Sequence, residues 1–133
     1  MRKYAIEHTS TLLRRLAFHM SRVSRSGDSD SIHDLRVAIR RFTQSLRVFV
    51  PFFPKPETKR IKRRLREIMD AAGEVRNRDI TAKLVKKAGQ ASTSDLLKRL
   101  SSERKQSQQT LVRLIRRWRE RDDAQKWRAR LGL

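Results

Sequence analysis

Cysteine is absent from this 133-residue chain. That excludes disulfides, thiolate metal ligands and a cysteine nucleophile, and suits a reducing cytoplasm, which is the expected location. Long apolar runs are missing as well. No segment approaches the ~20 apolar residues of a bilayer span, and the basic start Met1-Arg2-Lys3 is not followed by the unbroken apolar run of a signal peptide. No membrane insertion is expected. Aromatics make up only 6% of the residues, which leaves little with which to stack bases. Acidic residues are scarce, at 14 Asp+Glu against 34 Lys+Arg.

Catalytic signatures are missing too. There is no glycine-rich phosphate loop of the Walker type and no His-Glu-x-x-His pair, and His8, His19 and His33 are scattered along the chain. Asp28 and Asp30 sit in a small-residue loop, and Asp122-Asp123 lie near the C-terminal end, so neither pair has a supporting base or ligand set. Glu74 and Asp79 have the chemistry to hold Mg²⁺ against phosphates, but among so many arginines their expected role is charge balance. No catalytic residue, metal site or cofactor is predicted.

What the chain does have is positive charge, a formal +20 at pH 7. Such a surplus predicts a polyanionic partner. Of the 34 cations 24 are arginine, whose planar fork fits phosphate oxygens two at a time. At this length one domain spanning residues 1–133 is expected.

The dominant hydrophobic period is helical, and strand signals are almost absent. A first helix is predicted over Lys3–Arg25, with Leu12, Leu13, Leu16, Met20 and Val23 as its seam and Ser26-Gly27-Asp28-Ser29 as its stop. A second, capped by Asp30 or Ser31, should run to about Val50 and end at the proline-rich Pro51–Pro56, whose Phe52 and Phe53 plug the end of the bundle. A third is predicted over about Thr58–Ala72 with Gly73 as its C-cap. A short fourth is predicted over Asp79–Ala88, capped by Asn77 or Asp79 and stopped by Gly89. After a polar linker at 90–94 comes a long final helix with a break near Asp122. Four to five amphipathic helices with short connections predict an all-α, antiparallel up-and-down bundle.

Helix two carries the most informative pattern. At ~100° per residue, His33, Arg36, Arg40, Gln44 and Arg47 fall on one side, and Ile32, Leu35, Ile39, Phe42, Leu46 and Phe49 on another. One face suits a core and the other an anion. Three motifs then occur in order: His33-Asp34-Leu35-Arg36-Val37-Ala38-Ile39-Arg40-Arg41 with Leu46-Arg47-Val48-Phe49, Leu65-Arg66-Glu67-Ile68, and Gly73-Glu74-Val75-Arg76-Asn77-Arg78-Asp79-Ile80. Over about residues 5 to 120 the chain resembles the CHAD domain, a histidine-containing α-helical domain.

That resemblance implies a module that binds inorganic polyphosphate, often placed beside triphosphate-processing enzymes and associated with polyphosphate granules. By position, His33, Arg36 and Arg40 match the family's basic signature on helix two. Arg66 matches a basic position on the next helix, and Arg76 the arginine of an Arg-Asp-x-Asp turn whose first aspartate is here Asn77. With Arg41, Arg47 and Lys62 these form the candidate polyphosphate site. Family members typically hold two such bundles in tandem facing a basic channel, whereas this chain has one, so pairing into a homodimer is a further expectation.

Other readings stand beside this one. Nucleic acid is the runner-up ligand, although no helix-turn-helix spacing or zinc module appears. An adaptor docking on an acidic protein or membrane surface is the third. Arg76 and Asp79 could instead form an ion pair that fixes their turn. About half of the basic residues over 59–66 are expected to be a solvated helix face, and Trp118 and Trp127 are expected to be core or dimer contacts.

Overall fold

The computed structural model describes residues 1–89 and 93–133, and among them the chain is an all-α bundle. The elements are α1 (Arg2–Arg25), α2 (Ser29–Val48), a 3₁₀ turn (Val50–Phe52), α3 (Lys55–Ala88), α4 (Thr93–Glu120) and α5 (Asp123–Leu131).

In α1 the predicted seam is buried, and it extends toward the N-terminus through Ala5 and Thr9. In α2 the buried residues are Ile32, Leu35, Ala38, Ile39, Phe42 and Leu46, with Ser31 and Ser45. Burying a side chain of Leu or Phe size contributes about 1.5–3 kcal/mol, and this repeated gain holds the two helices together. One polar contact adds to it: the Thr9 and Ser45 hydroxyls share a buried hydrogen bond of 2.6 Å between α1 and α2.

The cap of α2 is Asp28 rather than the expected Asp30 or Ser31. Its carboxylate accepts from the Ser31 backbone N–H at 2.9 Å, and that bond holds the acid below its ordinary pKa. Ser31 is used differently: its hydroxyl donates back to the carbonyls of Ser26 and Asp28 and ties off the turn. Pro51 then closes α2 through the 3₁₀ turn, Phe53 is buried, Phe52 is half-buried, and Pro54 caps α3.

The largest correction concerns α3. The two helices predicted over 58–72 and 79–88 are a single helix of 34 residues, about 51 Å long at 1.5 Å per residue. Gly73 lies inside it and caps nothing, and neither Asn77 nor Asp79 starts a helix. Ala72 and Val75 are buried on either side of the glycine. The segment read as a turn is also gripped by α4: Arg78 pairs with Glu103 at 3.2 Å, and Asp79 pairs with Arg104. The alternative reading of Arg76 and Asp79 as an ion pair is not met among the described residues, where Asp79 pairs with Arg104. Arg104 Nη2 further donates to the Gly27 carbonyl at 2.8 Å, so one guanidinium joins α4, α3 and the α1–α2 turn.

Gly89 ends α3 at φ 64°, as expected. Of the predicted linker, 90–92 lie outside the described residues, and α4 begins at Thr93. The break near Asp122 is present, with that residue left-handed at φ 54° between α4 and α5. Helix α5 folds back onto the bundle, where Trp127 stacks on Phe42 at 6.2 Å and meets Trp118 edge-on at 5.8 Å. Both tryptophans are core.

An added Cβ at Gly73 meets nothing within 4 Å, so the glycine only weakens its helix. Gly73→Ala is expected to stabilise the fold by about 0.5–1 kcal/mol. Urea denaturation reads this, and a destabilisation would contradict the continuous helix.

Candidate functional site

The exposed side of α2 lies between α1 and α3, because the apolar face of α2 is committed to the core and its polar stripe has nowhere else to go. An open groove of about 920 Å³ runs along that side. Arg40, Arg41 and Arg47 of α2, Lys62 and Arg66 of α3, and Arg15 of α1 line it. Among the described residues no carboxylate does. A smaller recess of about 400 Å³ adjoins it toward the start of α2, lined by His33, Asp34 and His19 and sharing Arg15 and Arg41 with the groove.

Five of the eight predicted residues, Arg40, Arg41, Arg47, Lys62 and Arg66, thus share one groove. His33 opens instead into the recess. Arg36 and Arg76 line neither, but they sit within electrostatic reach of each other and Arg36 also of Arg40, which connects them to the groove. The one candidate site read from the sequence is thus divided between a groove and a recess that meet at Arg15 and Arg41, with an arginine cluster beside them. None of the eight has a carboxylate within ion-pair distance among the described residues.

The strain of this arrangement is visible at Arg36. Burial holds its guanidinium below the usual arginine range, and the charges of Arg40 and Arg76 push it further the same way. Its Nε is buried with no hydrogen-bond partner. A partly desolvated cation beside two others is costly, and a neighbouring anion would relieve that cost. In the recess, burial lowers the His19 pKa and Arg22 acts in the same sense, against the opposing pull of Asp34. Asp34 is itself paired with Arg22, at 2.5 Å.

The α1 contribution, His8 and Arg15, was not read from the sequence. A signal was present, since His8, Leu12, Arg15 and His19 follow a spacing of three and four beside the buried seam. What was missing was the knowledge that this edge of α1 faces α2.

A family model described as CHAD domain matches residues 8–132, from the first turns of α1 to the end of α5. No curated protein and no solved structure matches the chain.

Arg36→Met keeps the aliphatic packing and removes the crowded charge. Its expected effect is a higher melting temperature at low salt and weaker binding of a polyanion. The stability gain should shrink toward about 1 M salt, where charges are screened within ~3 Å. An unchanged melting temperature would show that Arg36 is not electrostatically strained.

Proposed function

We propose, for a chain that belongs to the CHAD domain family, that the groove beside α2 captures inorganic polyphosphate and performs no reaction on it. The carrying observation is the lining: six cationic side chains from three helices and no carboxylate. Polyphosphate is a chain of closely spaced anions without bases, so recognition needs only charge and spacing. Arginine forks suit it because each can engage two oxygens at once.

The geometry supports a division of labour. Arg40, Arg47, Lys62 and Arg66 contact successive phosphoryl groups. Arg36 and Arg76 raise the local positive potential from behind, and His33 extends the contact into the recess. Every phosphate neutralised releases condensed counterions. By analogy with nucleic acids, the logarithm of affinity should fall by about 0.7–0.9 per contact for each log unit of salt. Long chains engage many such contacts at once and outcompete free phosphate. We further propose that two chains pair so that their grooves share one polyphosphate, which light scattering with and without the ligand would read.

Labelled long-chain polyphosphate tests the reading by competition. Binding is expected to survive an excess of duplex DNA and of anionic vesicles and to weaken steeply with salt. Arg40→Ala and Arg66→Ala should each cost about tenfold in affinity, consistent with charge-assisted hydrogen bonds. Arg116→Ala, on the exposed face of α4, should stay within about twofold by the same reasoning. His33→Ala should fall between these. Equal losses at Arg40 and Arg116, or displacement by DNA at matched phosphate, would overturn the groove as a polyphosphate site.

A further inference from the structure

The groove contains more than a phosphate chain can use. Its far end, where α1 begins and α2 stops, is apolar and aromatic. His8, Val48 and Phe49 line it, and Val48 is 60% exposed. Tyr4, also 60% exposed, stacks on His8 with ring centroids 5.6 Å apart and planes 7° from parallel. Phe49 meets both rings edge-on, at 5.9 Å and 6.1 Å. In a chain with so few aromatics, three rings and an exposed valine gather at one end of the most basic groove. An inorganic polyanion gains nothing from them.

We propose that this groove accepts a nucleoside polyphosphate, its base against the Tyr4–His8–Phe49 cluster and its phosphates on Arg47, Lys62 and Arg40. The inference rests on the reading of the groove cations as phosphoryl ligands and adds a second ligand class to it. Three features carry it. The first is adjacency: Arg47 precedes Val48 in the chain, and both line the groove, so the cationic series starts where the aromatic wall ends. The second is spacing. Arg40 lies two turns before Arg47 on the same side of α2, about 10 Å along the axis, which suits a short phosphate chain running from the base toward the centre of the groove.

The third is shape. Stacked, edge-supported rings with an exposed outer edge favour a planar aromatic partner, since aromatic pairs gain from offset stacking and edge contacts beyond the area they bury. A flexible alkyl chain on a diphosphate would gain from area alone. Base stacking on aromatic side chains also tolerates different bases, so discrimination is expected between base and no base rather than among purines.

The test uses the full chain with ligands of matched phosphate number. Adenosine triphosphate is expected to bind about fivefold or more tighter than tripolyphosphate, the range that stacking of one base provides. In NMR spectra the Tyr4 and His8 ring protons should move upfield with adenosine triphosphate and stay in place with tripolyphosphate. Tyr4→Ala and His8→Ala, both at exposed positions, should lower adenosine triphosphate binding to the tripolyphosphate level, and Tyr4→Ala, which lies outside the cationic lining, should leave tripolyphosphate binding unchanged. The wild-type comparison stands even if a variant folds poorly. Equal affinity for the two ligands, a preference that survives both substitutions, or a prenyl diphosphate binding more tightly than adenosine triphosphate would overturn the nucleotide inference alone. Loss of all phosphate binding, long-chain polyphosphate included, would overturn it together with the reading of the groove.

Discussion

Like-charge repulsion is the constraint around which this protein is built. With 34 cationic side chains and 14 acidic ones, most arginines and lysines can have no carboxylate partner, and the few acids must be placed where they matter most. Four of them stand at junctions between helices. Asp34 meets Arg22 between α1 and α2, Asp79 meets Arg104 and Glu103 meets Arg78 between α3 and α4, and Asp123 meets Arg64 between α5 and α3. The groove receives none. Half-buried pairs of this kind offset only part of the repulsion among so many cations, so the apolar seams must hold the cations together against their own field. The groove is positive because six arginines and lysines line it and no described carboxylate does.

The consequence for assembly is that residues outside the groove decide its charge density. Arg76 lies near Arg36 only because α3 continues past Gly73 in one register. That register is secured by Arg104, which binds Asp79 on α3 and the Gly27 carbonyl ahead of α2. Gly27 is buried, and a side chain there would run into Gln108, which also accepts from Arg104 Nη1 at 2.7 Å. A small residue, a carboxylate and one guanidinium thus set where the starts of α2 and α4 lie relative to the middle of α3. A polyanion bound in the groove would engage charges whose positions are fixed by a contact it does not touch.

This also explains what the sequence could and could not disclose. The seams of α1 and α2, the stop at Gly89 and the break at Asp122 are local patterns, a helical period interrupted by a residue able to adopt a left-handed conformation, and they were legible. The continuity of α3 was not. Gly-Glu-Val-Arg-Asn-Arg-Asp carries turn and cap residues in plausible places, and what overrides them is packing against Glu103 and Arg104, some 25 residues along the chain. The cap of α2 was missed for a smaller reason: Asp28, Asp30 and Ser31 lie within one turn, and only the backbone geometry separates the residue that accepts from Ser31 from Ser31 itself, whose hydroxyl donates backward. In the site, the α2 stripe was legible because it repeats on one helix. Arg15 and His8 needed the packing partner of α1, which periodicity does not name.

The two kinds of lining in the groove answer to different forces, and this bears on how a ligand is chosen. The cations act at a distance and fade with salt, so on the proposed reading they would gather flexible phosphate chains and discriminate poorly between those that carry a base and those that do not. The aromatic end would act only on contact and with little dependence on salt, so it would contribute little to capture and much to the choice among ligands already held. Raising the ionic strength should therefore change the ranking of ligands as well as their affinities, because it weakens the shared phosphate contribution and leaves the ring contacts as they were. A groove with only arginines would lose all polyanions in proportion to their charge. A groove walled at one end by His8 and Phe49, with Tyr4 stacked on His8, should favour ring-bearing ligands increasingly as salt rises, and that dependence follows from the placement of residues on α1 and at the end of α2 without any movement of the fold.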